Sequence, residues 1–313
     1  MFQEINANSR NINRQKIFNY IKIRKIKSIF WGYLFILPAL VFFIMFMVYP
    51  LIEAVILSFH SFRLNAESMK FVGFENYIRI LKDPVFIKSL LNTFIIVLLV
   101  VPVTEIISLL LSELLIERSP KSQTFFRIAF YLPVVLSVVT ISLVWKNMYS
   151  QAYGILNYLL SLIGIEPVNW LGNPRLVKFS LSVVIITFTL GQPIVLNLAA
   201  LGSIPVTYYE AAYIDGASNW DRFWKITLPL IKPTTLYIIV TTTIKAFQVF
   251  GIIKIMTGGG PNYASSTVLY LIYERAFTFN DLAIASTMGV ILFIVVAIFS
   301  AVQFKLMSGS VEY

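Results

Sequence analysis

The chain has no cysteine and only one histidine, His60. Disulfides, thiol nucleophiles and Cys-based metal sites are thereby excluded. His60 has no second histidine to share a ligand, so it is expected to be an interfacial polar residue. Charge is scarce too: Asp, Glu, Lys and Arg make up 13% of the 313 residues, against about 25% in soluble domains. No G-x-x-x-x-G-K-[ST] occurs anywhere, and H-E-x-x-H and G-x-S-x-G are equally absent. The chain therefore cannot cradle nucleotide phosphates by a P-loop and shows no recognisable catalytic centre. No catalytic residue, metal or cofactor is expected, and energy for active work must come from another polypeptide.

What is present is apolar. Hydrophobic residues reach 58% and mean hydropathy is +0.80, the composition of an integral membrane protein. A span needs about 20 mostly apolar residues. Runs of that kind near 30–59, 88–116, 126–148, 178–203, 233–256 and 282–306 predict an all-α, polytopic membrane protein of six transmembrane helices. Pro38, Pro50, Pro102, Pro133 and Pro193 each remove a backbone donor within them. Such breaks suit helices that line a cavity, and equally suit packing kinks.

Net charge is +10, and Arg10, Arg14, Lys16, Lys22, Arg24, Lys25 and Lys27 face only Glu4 within the first 28 residues. A basic tail is compatible with nucleic acid. Directly before a membrane span it more simply fixes topology and touches anionic lipid, and no nucleic-acid partner is expected. With a cytoplasmic N-terminus, Lys and Arg favour the inner over the outer segments by fourteen to ten. Both termini are then cytoplasmic, and the 204–233 loop faces the cytoplasm.

That loop, with EAAYIDGASNWDRFWKITLPLIKP over 210–233, is polar and charged between two apolar runs. Thr207 and Glu210 are spaced as a capping box. Asp215-Gly216 predicts a helix end with glycine in the left-handed position. Ser218 with Asp221 restarts a helix whose apolar face is Phe223, Trp224, Ile226 and Leu228, and Pro229 and Pro233 are expected to close the loop.

Glu210-Ala211-Ala212, Asp215-Gly216-Ala217, Phe223, Ile226, Leu228-Pro229 and Pro233 resemble the "EAA" signature of permease subunits of binding-protein-dependent ABC importers. The resemblance implies that this loop docks into a groove of a cytoplasmic ATPase. Further likenesses are Gly73-Phe74-Glu75-Asn76-Tyr77, Asn92-Thr93, Leu132-Pro133, Trp145, Gly154-Ile155-Leu156-Asn157 and Thr257-Gly258-Gly259-Gly260-Pro261. They extend it from about residue 31 to 306 and point to the sugar-importing branch, in particular the maltose "F" and glycerol-phosphate "A" type of subunit. The fold implied is the type I importer permease. Residues 1–28 then form a basic cytoplasmic tail, 29–87 the first span and an outer segment, 88–306 the permease core, and 307–313 a cytoplasmic tail. The implied partners are a sister permease, a pair of cytoplasmic ATP-binding subunits, an extracytoplasmic solute-binding protein and membrane lipid, in a bacterial cell membrane.

Ionisable residues inside spans are rare and usually functional. Glu53 and Glu113 lie near helix ends, whereas Glu105 and Lys245 lie deeper. Thr242, Lys245 and Val249 share a helical face flanked by Gln248, and Thr187, Gly191 and Gln192 give the preceding span a polar face. The resemblance places solute contacts at Thr187, Gly191, Ile194, Thr242, Lys245 and Val249, with Phe247 available for stacking. Lys245 stands where the family more usually has a neutral residue. It is expected to pair with Glu105, to meet an acidic solute group, or to snorkel. An ion-coupled secondary transporter is the alternative reading. It requires inverted repeats and a relay of intramembrane carboxylates, and no repeat is visible. A membrane-embedded enzyme is weakened by the missing catalytic constellation.

Overall fold

Strand is confined, in the computed structural model, to one antiparallel pair among the described residues, His60–Ser61 with Lys70–Phe71. The model describes residues 30–61 and 69–307. The basic tail 1–28, Arg63 of the charge tally and residues 308–313 lie outside the described residues.

The chain divides into two units at Ile56/Leu57. The described part of the first is helix α1 (Phe30–Ser58), which runs just past that boundary. A π turn at Ile44–Val48 lets the Tyr49 N–H reach Ile44 O. It lies just ahead of Pro50, which cannot donate to the turn before it. Glu53 is satisfied one turn away, where Tyr49 donates to it at 2.5 Å.

The second unit is built around α3 (Pro84–Ile116), which follows the short surface helix α2 (Glu75–Leu81). The Asp83 carboxylate accepts the Val85 N–H at 2.8 Å, and Pro84 starts the helix where a missing donor costs nothing. Then come α4 (Pro120–Val135), α5 (Val138–Met148), α6 (Ile155–Ser161), α7 (Val177–Thr189), α8 (Gly191–Gly202), α9 (Val206–Ile214) and α10 (Asn219–Arg222). The chain ends in α11 (Leu228–Phe247), α12 (Gly251–Met256), α13 (Val268–Tyr273) and α14 (Leu282–Met307).

Six spans were expected, with proline breaks in four of them, and the structure divides three of the runs into shorter helices. The 126–148 run is two helices, α4 and α5, bent by 99°. Leu136 is extended there, and the Ser137 hydroxyl caps α5 by accepting the Thr140 N–H at 3.2 Å. The 178–203 run bends by 50° between α7 and α8, where Pro193 denies Thr189 its helical donor. The 233–256 run breaks at Gln248–Phe250. Helices α1, α3 and α14 are long and apolar enough to cross a membrane, and the two bent pairs pass the same test when each is taken as one span. The remaining run is the 20-residue α11, which carries Lys232 and Lys245.

The core of this unit gathers Phe86, Ile96, Val97 and Val100 of α3 with Leu181, Ile185, Phe247, Ile253, Leu271 and Met288. Between helices in lipid the hydrophobic drive is weak, and polar side chains add modest glue of about 0.6 kcal/mol each. Asn197 donates to Ser108 Oγ at 3.0 Å, Ser112 to Ile194 O at 3.1 Å, and Gln303 to Thr243 Oγ1 at 2.9 Å.

Candidate functional site

The 204–233 segment is a knob of two helices. Helix α9 begins after Pro205, whose side chain offers no cap, so Thr207 and Glu210 lie inside the helix and no capping box forms between them. Proline already sets the φ needed at the helix entrance and moves the start ahead of Thr207. The helix end matches expectation. Gly216 takes φ +75°, its N–H bonds to Tyr213 O at 3.1 Å, and the Ala217 N–H bonds to Ala212 O at 2.9 Å. This is a complete Schellman closure.

Ser218 then caps α10, accepting the Asp221 N–H at 3.1 Å and donating to Asp221 Oδ2 at 2.5 Å. Lys225 donates to Asp221 Oδ1 at 2.7 Å. The hydrogen bond from Lys225, then that from Ser218, pulls the Asp221 carboxyl down from 3.8 to about 2. Tyr209 and Thr227 clasp the two helices, hydroxyl to hydroxyl, at 2.9 Å. Phe223 and Leu228 pack inward on Leu109, Leu201 and Ile231. Tyr213, Ile214 and Trp220 point outward, 74%, 85% and 71% exposed, an apolar patch of the kind that marks interaction surfaces. Glu210 and Arg222 line a groove of about 450 Å³ beside Tyr209, Tyr213 and Ile214.

The prolines do not close this loop as expected. After α10 a π turn at Phe223–Thr227 leads directly into α11. Pro229 sits in the first turn of α11 and Pro233 inside it, so the knob and the long helix are one continuous rod. The π turn precedes Pro229 as the one in α1 precedes Pro50, which frees the backbone from the clash that proline would cause.

At the far end of that rod lies a cavity of about 380 Å³. Gln192, Lys245 and Gln248 line it together, with Thr189, Val249 and the rings of Phe188 and Phe250. Lys245 lies in the last turn of α11, where the helix dipole favours a cation, and donates to Gln192 Oε1 at 2.6 Å. It is not paired with Glu105. That residue is buried beside Ser108, whose hydroxyl donates to its Oε2 at 3.4 Å.

Several expected solute contacts are elsewhere. Thr187 does not line the cavity and returns its hydroxyl to Val184 O at 2.8 Å. Thr242 is buried among the helices, and Ile194 is wholly enclosed beside Leu115 and Leu198. Gly191 is a packing glycine, because a Cβ there would stand 2.6 Å from Phe130 O. Phe247 is fully buried against Phe94 and Phe299, at 5.4 and 5.7 Å between ring centroids, and offers no face to a solute. Sequence reasoning missed Phe188, Thr189 and Phe250. For Phe250 the available signal was Gly251, which interrupts the apolar run just after it. A Cβ there would lie 2.8 Å from Val138 Cγ1, so α12 can approach α5 only at a glycine.

Residues 81–311 match the family model for the inner membrane component of binding-protein-dependent transport systems. The chain belongs to that family. It is 34% identical to the trehalose/maltose transport system permease protein MalF of Thermococcus litoralis over 274 residues, 88% of this chain and 92% of the relative. It is likewise 34% identical to the lactose transport system permease protein LacF of Rhizobium radiobacter over 278 residues, 87% and 92% of the two chains. A crystal structure of a bacterial ABC transporter involved in the import of the acidic polysaccharide alginate contains a chain of the same fold. It has TM-score 0.80 and 23% identity, covering 92% of this chain and 99% of that one. The chain is thus a multi-pass membrane permease subunit of an ABC importer with the type I permease fold.

In this permease three of the other residues that carry the resemblance, Asn92, Thr93 and Asn157, have structural roles. Asn92 donates to Tyr263 O at 2.8 Å and to Ser266 O at 3.1 Å, and Thr93 Oγ1 accepts the Val268 N–H at 3.1 Å. Together they clasp the segment after the Gly-Gly-Gly-Pro turn onto α3. Asn157 ties residues 150–170 together: its Oδ1 accepts from Val168 N and from Trp170 Nε1, and its Nδ2 donates to Ser150 O and Val168 O.

Proposed function

We propose that the permease imports a carbohydrate handed over by an extracytoplasmic binding protein, and that its knob couples this movement to ATP hydrolysis by a separate pair of cytoplasmic subunits. A sister permease completes the path. The setting is a bacterial cell membrane, with both termini cytoplasmic. The coupling segment is Glu210, Ala211, Ala212, Asp215, Gly216, Ala217, Phe223, Leu228 and Pro229, in which Phe223 and Leu228 anchor the knob inward, and the solute contacts are Gln192, Lys245 and Gln248. Thr187, Gly191 and Thr242, expected on the same pathway, do not line that cavity.

The observation that carries this reading is the continuous rod. From Asn219 to Phe247 the chain is helical without a break. At 1.5 Å per residue it spans roughly 40 Å between the exposed knob and the cavity. A push on the knob is therefore passed along one helix to Lys245 in its last turn. The sugar transport names of its relatives support a carbohydrate, and the cavity suits one: neutral amides and a hydroxyl for hydrogen bonds, with rings beside them.

Gly216→Pro tests the coupling. Proline cannot take the positive φ found at Gly216. In proteoliposomes holding the complete importer, uptake is expected to collapse while the ATPase subunits still turn over. Wild-type uptake with unchanged ATP turnover would overturn the assignment.

A further inference from the structure

Resting on the solute site just proposed, the charge balance of the cavity says more about what enters it. Of the twelve residues that line it, Lys245 alone is charged. Most of the wall is apolar, including Val134, Val138, Ile185 and Ile252. Gln192 Oε1 receives one N–H of the ammonium at 2.6 Å, and the end of α11 adds the negative pole of its dipole. Neither group carries a compensating charge. Among the described residues no carboxylate lies within ion-pair reach of Lys245. Asp221 pairs with Lys225 and Asp83 with Arg275, and Glu105 lies beside Ser108 on α3.

Lys245 is exposed on the cavity side, and an uncompensated cation there attracts an anion of the solute. An ammonium has three N–H donors, so two remain for other acceptors once Gln192 has taken one. A single positive charge balances a single negative one. The cavity holds no second lysine and no arginine, which a doubly charged phosphate would call for. The neutral groups nearby, Gln248 and Thr189, suit hydroxyls. We infer that the permease is built for an acidic saccharide, one bearing a carboxylate that Lys245 receives while Gln192 holds the ammonium in place.

The experiment compares wild type, Lys245→Met and Lys245→Arg in cells carrying the complete importer with its binding protein. The probes are radiolabelled disaccharides containing glucuronate, galacturonate or mannuronate, each beside its neutral hexose counterpart. Membrane abundance and co-purification of the partner subunits are followed in parallel. The wild type is expected to import at least one uronate-containing disaccharide. Lys245→Met should lower that uptake about tenfold or more, as expected for a lost hydrogen bond to a charged group, with assembly intact, and Lys245→Arg should keep most of it. Import of neutral saccharides alone, or uronate uptake untouched in Lys245→Met, overturns the inference and leaves the carbohydrate reading standing. Loss of assembly in Lys245→Met also overturns it, because the lysine would then serve a carboxylate of a neighbouring subunit. A wild type that imports no saccharide at all sinks the carbohydrate reading itself, and this inference with it.

Discussion

Gly191 and Phe130 are in backbone contact: a Cβ on Gly191 would sit 2.6 Å from the Phe130 carbonyl oxygen and 2.8 Å from the neighbouring Tyr131 Cα. Helices α4 and α8 therefore approach as closely as they do only because residue 191 has no side chain. Close approach over a small residue is a usual way for helices to associate in lipid.

Gly191→Ala should accordingly destabilise the permease, by about 1–3 kcal/mol as for other overpacked positions. The measure is its melting temperature in detergent, followed by size-exclusion chromatography. A variant with wild-type stability but impaired uptake would instead return Gly191 to the solute path, where the family resemblance put it.

Sidedness is tested with single cysteines, since the chain has none of its own. Ser218 in the knob and Ala152 in the segment after α5 are both exposed. With a cytoplasmic N-terminus, an impermeant maleimide applied to intact cells should label Ala152→Cys, and should reach Ser218→Cys only after permeabilisation. Labelling of Ser218→Cys from outside would invert the topology.

The Asp221 carboxyl titrates at about 2, below its ordinary 3.8, chiefly because Lys225 and Ser218 hydrogen-bond to its ionised form. A depressed folded-state value means that its stabilising contribution is complete above 3.8 and is lost as the pH falls through about 2. The knob should thus show no Asp221-linked transition between about pH 5 and 8, a range well above both values. In Lys225→Gln the transition should move up toward the ordinary value. Tryptophan fluorescence, compared between each protein and its Trp220→Phe variant, isolates the signal of the knob. An unshifted midpoint in Lys225→Gln would remove the lysine from this role.

The sequence alone determined the class, the positions of the apolar runs and the end of the first knob helix. Class follows from composition, because 58% apolar residues cannot be buried inside one soluble domain of this size. Gly216 was legible because positive φ is a local property, and local φ is what glycine encodes. Ser218 was legible for the same kind of reason, a cap reaching only three residues ahead. Where the chain breaks was not legible. Pro133 and Gln248 marked the neighbourhoods, but not the 99° bend at Leu136–Ser137 or the end of α11 at Gln248, which neighbouring helices rather than hydropathy set. The continuity from knob to α11 was hidden too, since two prolines suggested a stop that a π turn circumvents. The cavity depended most on tertiary structure. Helical spacing put Lys245 and Gln192 on polar faces of two helices, but only the packing of α8 against α11 joined them at 2.6 Å. The same packing buried Phe247, Ile194 and Thr242, because a residue's depth depends on which neighbour covers its face, and that neighbour lies far away in the chain.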